Sequence, residues 1–81
     1  MKEDIIRALE NAGYYYIGSE GGSFIIHIER DASLSFFEDD LDDVYDIASM
    51  YGAVRVGYPE ENVADSYGVY REQIAEIEVL S

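Results

Sequence analysis

The chain has 81 residues, of which 18 are acidic and 5 are basic, so its formal net charge is −13. This length predicts one domain over residues 1–81, and a 48% apolar composition is too hydrophobic for a disordered acidic tail. The absence of Cys and the presence of one His exclude disulfides, thiolate metal sites, cysteine nucleophiles and multi-histidine metal centres.

The first predicted element is a short helix over residues 3–12. Its apolar residues recur at helical spacing and are Ile5, Ile6, Leu9 and Ala12. Gly13 follows directly and is a suitable C-terminal cap.

A hairpin is predicted next. Residues 14–17 and 23–30 are β-prone, and a glycine-containing turn separates them. One face of the second strand carries the apolar residues Phe24, Ile26 and Ile28. His27 lies on the other face and has no second His or Cys with which to form a metal site, so we expect a strand-face side chain rather than a catalytic group.

The clearest element is a helix between Ser35 and Gly52. Ser35 and Glu38 fit a capping box with Ser35 as the N-cap, and Gly52 is the expected stop. Apolar residues at spacings of three and four form a stripe that should face the core: Phe37, Leu41, Val44, Tyr45, Ala48 and Tyr51. The pattern predicts a helix of about 16 residues.

The last third of the chain allows two interpretations. Residues 53–58 alternate as a strand that Pro59 ends. Beyond it, the apolar spacing fits either a helix or an irregular acidic segment through residues 60–70 followed by a strand near 72–80. We favour the second, because Gly68 would cost a helix about 1 kcal/mol.

Together the elements predict an α+β fold in the order α-β-β-α-β-β. It should contain an antiparallel sheet of about four strands with two helices on one face. Of the eight tyrosines, four fall on core stripes: Tyr15, Tyr45, Tyr51 and Tyr58. The others should be exposed, where tyrosine beside acids suits a protein interface: Tyr14, Tyr16, Tyr67 and Tyr70.

The negative charge is concentrated on the second predicted helix. Residues 38–46 hold six carboxylates, and no Lys or Arg lies between Arg30 and Arg55. On a helical wheel four of the carboxylates fall together, opposite the apolar stripe, and we call them the acidic face: Asp39, Asp42, Asp43 and Asp46. Their like-charge contacts at i,i+3 and i,i+4 each cost a few tenths of a kcal/mol.

A charge run is usually a solvated face, and the favourable field at a helix N-terminus accounts for Glu38, Asp39 and Asp40. It does not account for the later members of the acidic face. Carboxylates that a helix disfavours, with no neighbouring Lys or Arg to offset them, indicate a functional site. We therefore predict that the acidic face binds a basic partner, with a secondary rim of Glu38, Asp40, Glu60, Glu61 and Asp65.

The spacing of these carboxylates suggests what they imitate. Residues three or four apart rise about 4.5–6 Å along a helix, and DNA carries one phosphate per about 3.4 Å of axis on each strand. In size, acidity and the carboxylate-lined segment EDDLDDVYD, the chain resembles phage-encoded decoy inhibitors, the anti-CRISPR and anti-restriction proteins that mimic DNA. That class shares no sequence motif or fold, so the resemblance assigns no individual residue.

The resemblance implies an inhibitor, acting in the host cytoplasm, that occupies the nucleic-acid channel of a host defence complex. One alternative is an acidic adaptor or regulatory protein whose basic partner is unrelated to nucleic acid. Another is a domain whose acidity serves solubility alone. We expect no enzyme activity, cofactor, metal, membrane contact or direct nucleic-acid binding, because no catalytic, EF-hand or membrane-spanning motif is present. The sequence leaves the oligomeric state open.

Overall fold

A computed structural model describes residues 2–20, 24–31, 34–59 and 70–80. Its helices and strands are α1 (Lys2–Asn11), β1 (Tyr15–Glu20), β2 (Ile25–Glu29), α2 (Glu38–Ala48), β3 (Val54–Gly57) and β4 (Ile74–Val79). One 3₁₀ turn, Ser49–Tyr51, extends α2, and another, Arg71–Gln73, leads into β4. The predicted α+β fold and the order of its elements are confirmed.

The four strands form one antiparallel sheet in the order β1-β2-β4-β3. The last strand in the chain therefore lies inside the sheet, where Ile77 pairs with Ile26 on one side and with Val56 on the other. The strand predicted near residues 72–80 is confirmed over Ile74–Val79. The predicted acidic segment falls mainly on residues 60–69, which lie outside the described part of the chain.

Both helices cover the same face of the sheet and share one apolar core with it. The core joins buried residues of α1 and α2 to buried residues of β2 and β4: Ile5, Leu9, Val44, Ala48, Ile26, Ile28, Ala75 and Ile77. On the opposite face His27 is fully buried, and its Nε2 lies 3.2 Å from Oε1 of Glu76. Phe24, expected beside Ile26 and Ile28, is 64% exposed, because it lies in the turn before β2.

The end of α1 directs the chain into the core. Gly13 has a φ of +100°, the left-handed conformation that glycine adopts without strain. The amide of Tyr14 then donates to the carbonyl of Leu9 at 3.0 Å. Tyr14 is only 9% exposed, so the expectation that it is exposed was wrong.

The start of α2 differs from the prediction. The helix begins at Glu38, and Phe37 rather than Ser35 is the N-cap residue. The carboxylate of Asp40 accepts a hydrogen bond from the amide of Phe37 at 2.9 Å, which satisfies a free donor at the helix start. Ser35 is held outside the helix, where its carbonyl accepts a hydrogen bond from Arg30 Nη1 at 2.7 Å.

The later start reverses the roles of two adjacent phenylalanines. Phe36 is 1% exposed, whereas Phe37, expected in the core, is 68% exposed. Phe36 is fixed by three contacts: its amide donates to Glu72 O at 2.8 Å, its carbonyl accepts from the Tyr58 hydroxyl at 2.6 Å, and its ring stacks on Tyr14 at 5.8 Å. These contacts place Phe36, not Phe37, under the helix.

Several tyrosines also lie opposite to expectation. Three that were expected in the core are exposed, namely Tyr15, Tyr45 and Tyr51. Tyr58 packs against the core as predicted, and Tyr16 and Tyr70 are exposed as predicted. Tyr67 lies outside the described residues. Within the described ranges, no helix has the length and apolar character needed to cross a bilayer.

The two phenylalanines give a direct test of this packing. We expect Phe36→Ala to lower the free energy of unfolding by about 3–5 kcal/mol, because it leaves a cavity under α2. Phe37→Ala should change it by less than about 0.5 kcal/mol, because the ring is exposed. Urea denaturation of both variants measures the difference. Equal destabilisation by the two substitutions would contradict the assigned start of α2.

Candidate partner-binding site

The acidic face lies on the solvent side of α2. Asp39, Asp42, Asp43 and Asp46 are all exposed. Val44 and Ala48 on the opposite side are fully buried, and Leu41 packs partly against the core. The structure therefore brings the four predicted carboxylates together on one surface, although the N-cap of the helix lies two residues later than predicted.

The four arginines of the chain are engaged elsewhere. Arg7 lies 3.8 Å from Asp4, Arg30 lies 3.1 Å from Asp40, and Arg55 lies 2.9 Å from Glu78. The fourth arginine, Arg71, donates to the carbonyl of Pro59 at 2.7 Å. Among residues 2–20, 24–31, 34–59 and 70–80, no ion pair involves Asp39, Asp42, Asp43 or Asp46.

One carboxylate of the acidic face, and one beside it, have identifiable structural roles. Asp40, placed in the secondary rim by the sequence, is partly buried between the side chain of Arg30 and the amide of Phe37. Asp43 accepts a hydrogen bond from the hydroxyl of Tyr14 at 2.7 Å. These contacts connect α2 to the chain segments that follow β2 and α1.

Asp42 and Asp46 have no comparable contacts with the described part of the chain. Both lie beyond the first turn of α2, and Asp46 is in its last turn, where the helix field disfavours a negative charge. They are also an i,i+4 like-charge pair. Because the described bases satisfy neither carboxylate, these two residues give the strongest indication that the surface meets an external positive charge.

An aromatic row lies directly beside the acidic one. Phe37 and Tyr45 are 68% and 48% exposed, and they lie four residues on either side of the partly buried Leu41. The parallel row, one residue further along the chain, is Glu38, Asp42 and Asp46. We call Phe37 and Tyr45 the aromatic flank. The sequence pattern did not predict this exposed pair, because both residues fit the apolar stripe.

Three members of the predicted rim lie outside the described residues: Glu60, Glu61 and Asp65. Glu38, another rim residue, is exposed at the start of α2. In the described parts of the chain, no group of three or more His, Asp and Glu side chains is arranged to hold a metal ion. A shallow cavity of about 350 Å³ lies near the end of α1, and its lining includes Tyr15, Arg30 and Asp40.

Comparison of the chain with protein-family models, with curated proteins and with solved structures finds no match. The function must therefore be inferred from the physical character of α2 and its surroundings.

The Tyr14–Asp43 contact predicts a pH dependence of stability. Burial raises the pKa of Tyr14 from 10.0 to about 12, and the hydrogen bond to Asp43, with the negative charges of Asp43 and Asp40, acts in the same direction. The folded chain therefore retains this proton at pH values where the unfolded chain releases it. The resulting stabilisation is complete below pH 10 and is lost as the pH rises towards about 12.

We expect Tyr14→Phe to remove this part of the alkaline dependence while weakening the fold by about 1.5 kcal/mol at neutral pH, the lower end of the range for a hydrogen bond to a charged group, because Asp43 is exposed. Urea denaturation of both proteins across the alkaline range measures the effect. The other tyrosines are present in both proteins, so their contribution is the same in each. An identical alkaline loss of stability in the two proteins would contradict the role of Tyr14.

Proposed function

We propose that the chain is a binding protein, not an enzyme, whose acidic face imitates nucleic-acid phosphates and occupies the basic surface of a nucleic-acid-handling complex. A host defence complex of the CRISPR or restriction type is the expected target, and the chain would act as its stoichiometric inhibitor. Such inhibition needs only a rigid surface of the right charge, so the proposal requires no cofactor or catalytic group.

The observation that carries this proposal is the exposed set of Asp39, Asp42 and Asp46 on a helix packed against the sheet, which forms no ion pair with any residue that the structure describes. Successive members rise about 4.5 and 6 Å along the helix axis. A protein that holds DNA through Lys and Arg side chains offers matching positive charges. Contact with such a surface would also relieve the repulsion between Asp42 and Asp46, and this relief favours formation of the complex.

The triple variant Asp39→Asn, Asp42→Asn, Asp46→Asn tests the proposal. It removes three charges from residues that form no ion pair among the described residues, so the fold should be retained or slightly stabilised. Asp43 is left unchanged because it holds Tyr14. We expect binding to a basic partner to fall by at least tenfold, since close charge pairs at interfaces are commonly worth more than about 1.5 kcal/mol.

The matched control removes three charges from elsewhere on the surface. Glu3, Glu10 and Glu72 are exposed, and Glu→Gln at all three gives the same net charge as the Asp→Asn variant. Glu76 and Glu78 are unsuitable because they contact buried His27 and Arg55. The three proteins serve as baits in extracts of the native host, and mass spectrometry identifies proteins that only the Asp→Asn variant fails to capture.

The captured partner then distinguishes the two function classes. An inhibitor of the proposed kind prevents its partner from binding DNA, which a gel-shift or anisotropy titration measures directly. A partner that binds DNA equally well with and without this chain would favour the adaptor alternative. Equal loss of capture by the control variant would show that net charge, rather than the arrangement on α2, determines binding.

Salt gives an independent prediction. Binding by the wild-type chain should weaken as ionic strength rises, because the screening length shortens to about 8 Å at physiological salt. The Asp→Asn variant should show a smaller dependence and a slower association rate, since exposed charges mainly steer encounter. Surface plasmon resonance at several salt concentrations measures both quantities. A salt-independent affinity would contradict an electrostatic complex.

A further inference from the structure

We propose that the surface of α2 recognises arginine in preference to lysine, through guanidinium groups that stack on the aromatic flank while they pair with the neighbouring carboxylates. This inference rests on the proposed function and specifies the chemistry of the partner surface. It depends on the juxtaposition of two rows: Phe37 at the N-cap and Tyr45 on α2 form one, and Glu38, Asp42 and Asp46 form the other.

The aromatic flank is exposed although both of its residues fit the apolar pattern of a buried stripe. Phe37 is 68% exposed and Tyr45 is 48% exposed. Neither residue is part of the hydrophobic core or packed against it in the described structure. A phenylalanine exposed beside carboxylates contributes little to folding, and it presents both an apolar surface and a negative ring face to an incoming group.

The neighbouring row supplies the charge that selects a cation for this aromatic surface. Asp42 lies three residues before Tyr45 on α2, and Glu38 is the first helical residue after the N-cap Phe37. Residues three apart on a helix are neighbours. A cation near Tyr45 is therefore also close to the carboxylate of Asp42. The same surface would repel an anionic ligand, and an apolar partner would have to desolvate the adjacent carboxylates.

Arginine fits this pair of rows better than lysine does. Its guanidinium is planar, so its face stacks on an aromatic ring while its edge donates two parallel hydrogen bonds to a carboxylate. The lysine ammonium is a compact, strongly hydrated point charge and gains less from stacking. The chain already places one arginine over an aromatic ring: the guanidinium carbon of Arg71 lies 5.8 Å from the centroid of the Tyr58 ring, while its Nε donates to the carbonyl of Pro59.

The test uses two defined probes, a tetra-arginine amide and a tetra-lysine amide of equal charge. Each is titrated into the isotopically labelled full chain at physiological salt, and NMR shifts give the dissociation constants. We expect the wild-type chain to bind the arginine peptide about fivefold more tightly than the lysine peptide, with the largest ring shifts at Phe37 and Tyr45.

The double variant Phe37→Ala, Tyr45→Ala should lose this preference. Its affinity for the arginine peptide should fall about five- to tenfold, as expected for two exposed cation–π contacts, while its affinity for the lysine peptide stays within about twofold. Phe24→Ala is the matched control, because Phe24 is 64% exposed and lies in the turn before β2. That control should bind both peptides as the wild-type chain does.

The inference is overturned if the wild-type chain binds the two peptides with equal affinity. It is also overturned if the arginine preference persists in the double variant, or if the Phe24 control loses the preference to the same extent. The Asp39→Asn, Asp42→Asn, Asp46→Asn variant separates this result from the proposed function. If that variant loses affinity for both peptides while the wild-type chain does not distinguish them, the acidic face binds cations and only the arginine preference fails. If it binds both peptides as the wild-type chain does, the acidic face itself is not used and the proposed function fails.

Discussion

The position of α2 depends on the guanidinium of Arg30. Its Nη1 donates to the carbonyl of Ser35 at 2.7 Å and lies 3.1 Å from the carboxylate of Asp40. The same carboxylate caps the amide of Phe37. These bonds set the residue at which the helix begins, and they anchor its first turn to the end of β2. Packing of Val44 and Ala48 into the core then determines which side of the helix is buried.

The distribution of ion pairs among the described residues leaves the negative charge of one surface without basic partners. The paired arginines stabilise local or cross-strand contacts, as Arg30 does at the helix start and Arg55 does opposite Glu78. Asp42 and Asp46, by contrast, contribute nothing identifiable to packing in the described structure. Their repulsion is small compared with the stability of a domain, so a surface suited to a partner is compatible with a stable fold.

The amino-acid sequence predicted the elements better than their boundaries. Periodicity located both helices and the last strand, and it placed Asp39, Asp42 and Asp46 on one face because a helical wheel does not depend on the starting residue. It could not choose between Phe36 and Phe37, which are adjacent and equally apolar. That choice depends on contacts with Tyr14, Tyr58 and Glu72, which are distant along the chain. The Tyr14–Asp43 bond spans 29 positions and leaves no local pattern.

The strand order β1-β2-β4-β3 has a consequence for how the chain folds during its synthesis. Both neighbours of β4 emerge from the ribosome before it does, and β2 and β3 remain separated until residues 74–79 are available. Pairing across the centre of the sheet also joins residues about 50 positions apart, as in the contact of His27 with Glu76, and such non-local contacts slow folding. A nascent chain that ends before β4 therefore has exposed strand edges and an incomplete core. The sheet that supports α2 and its acidic face can form only after β4 has been synthesised.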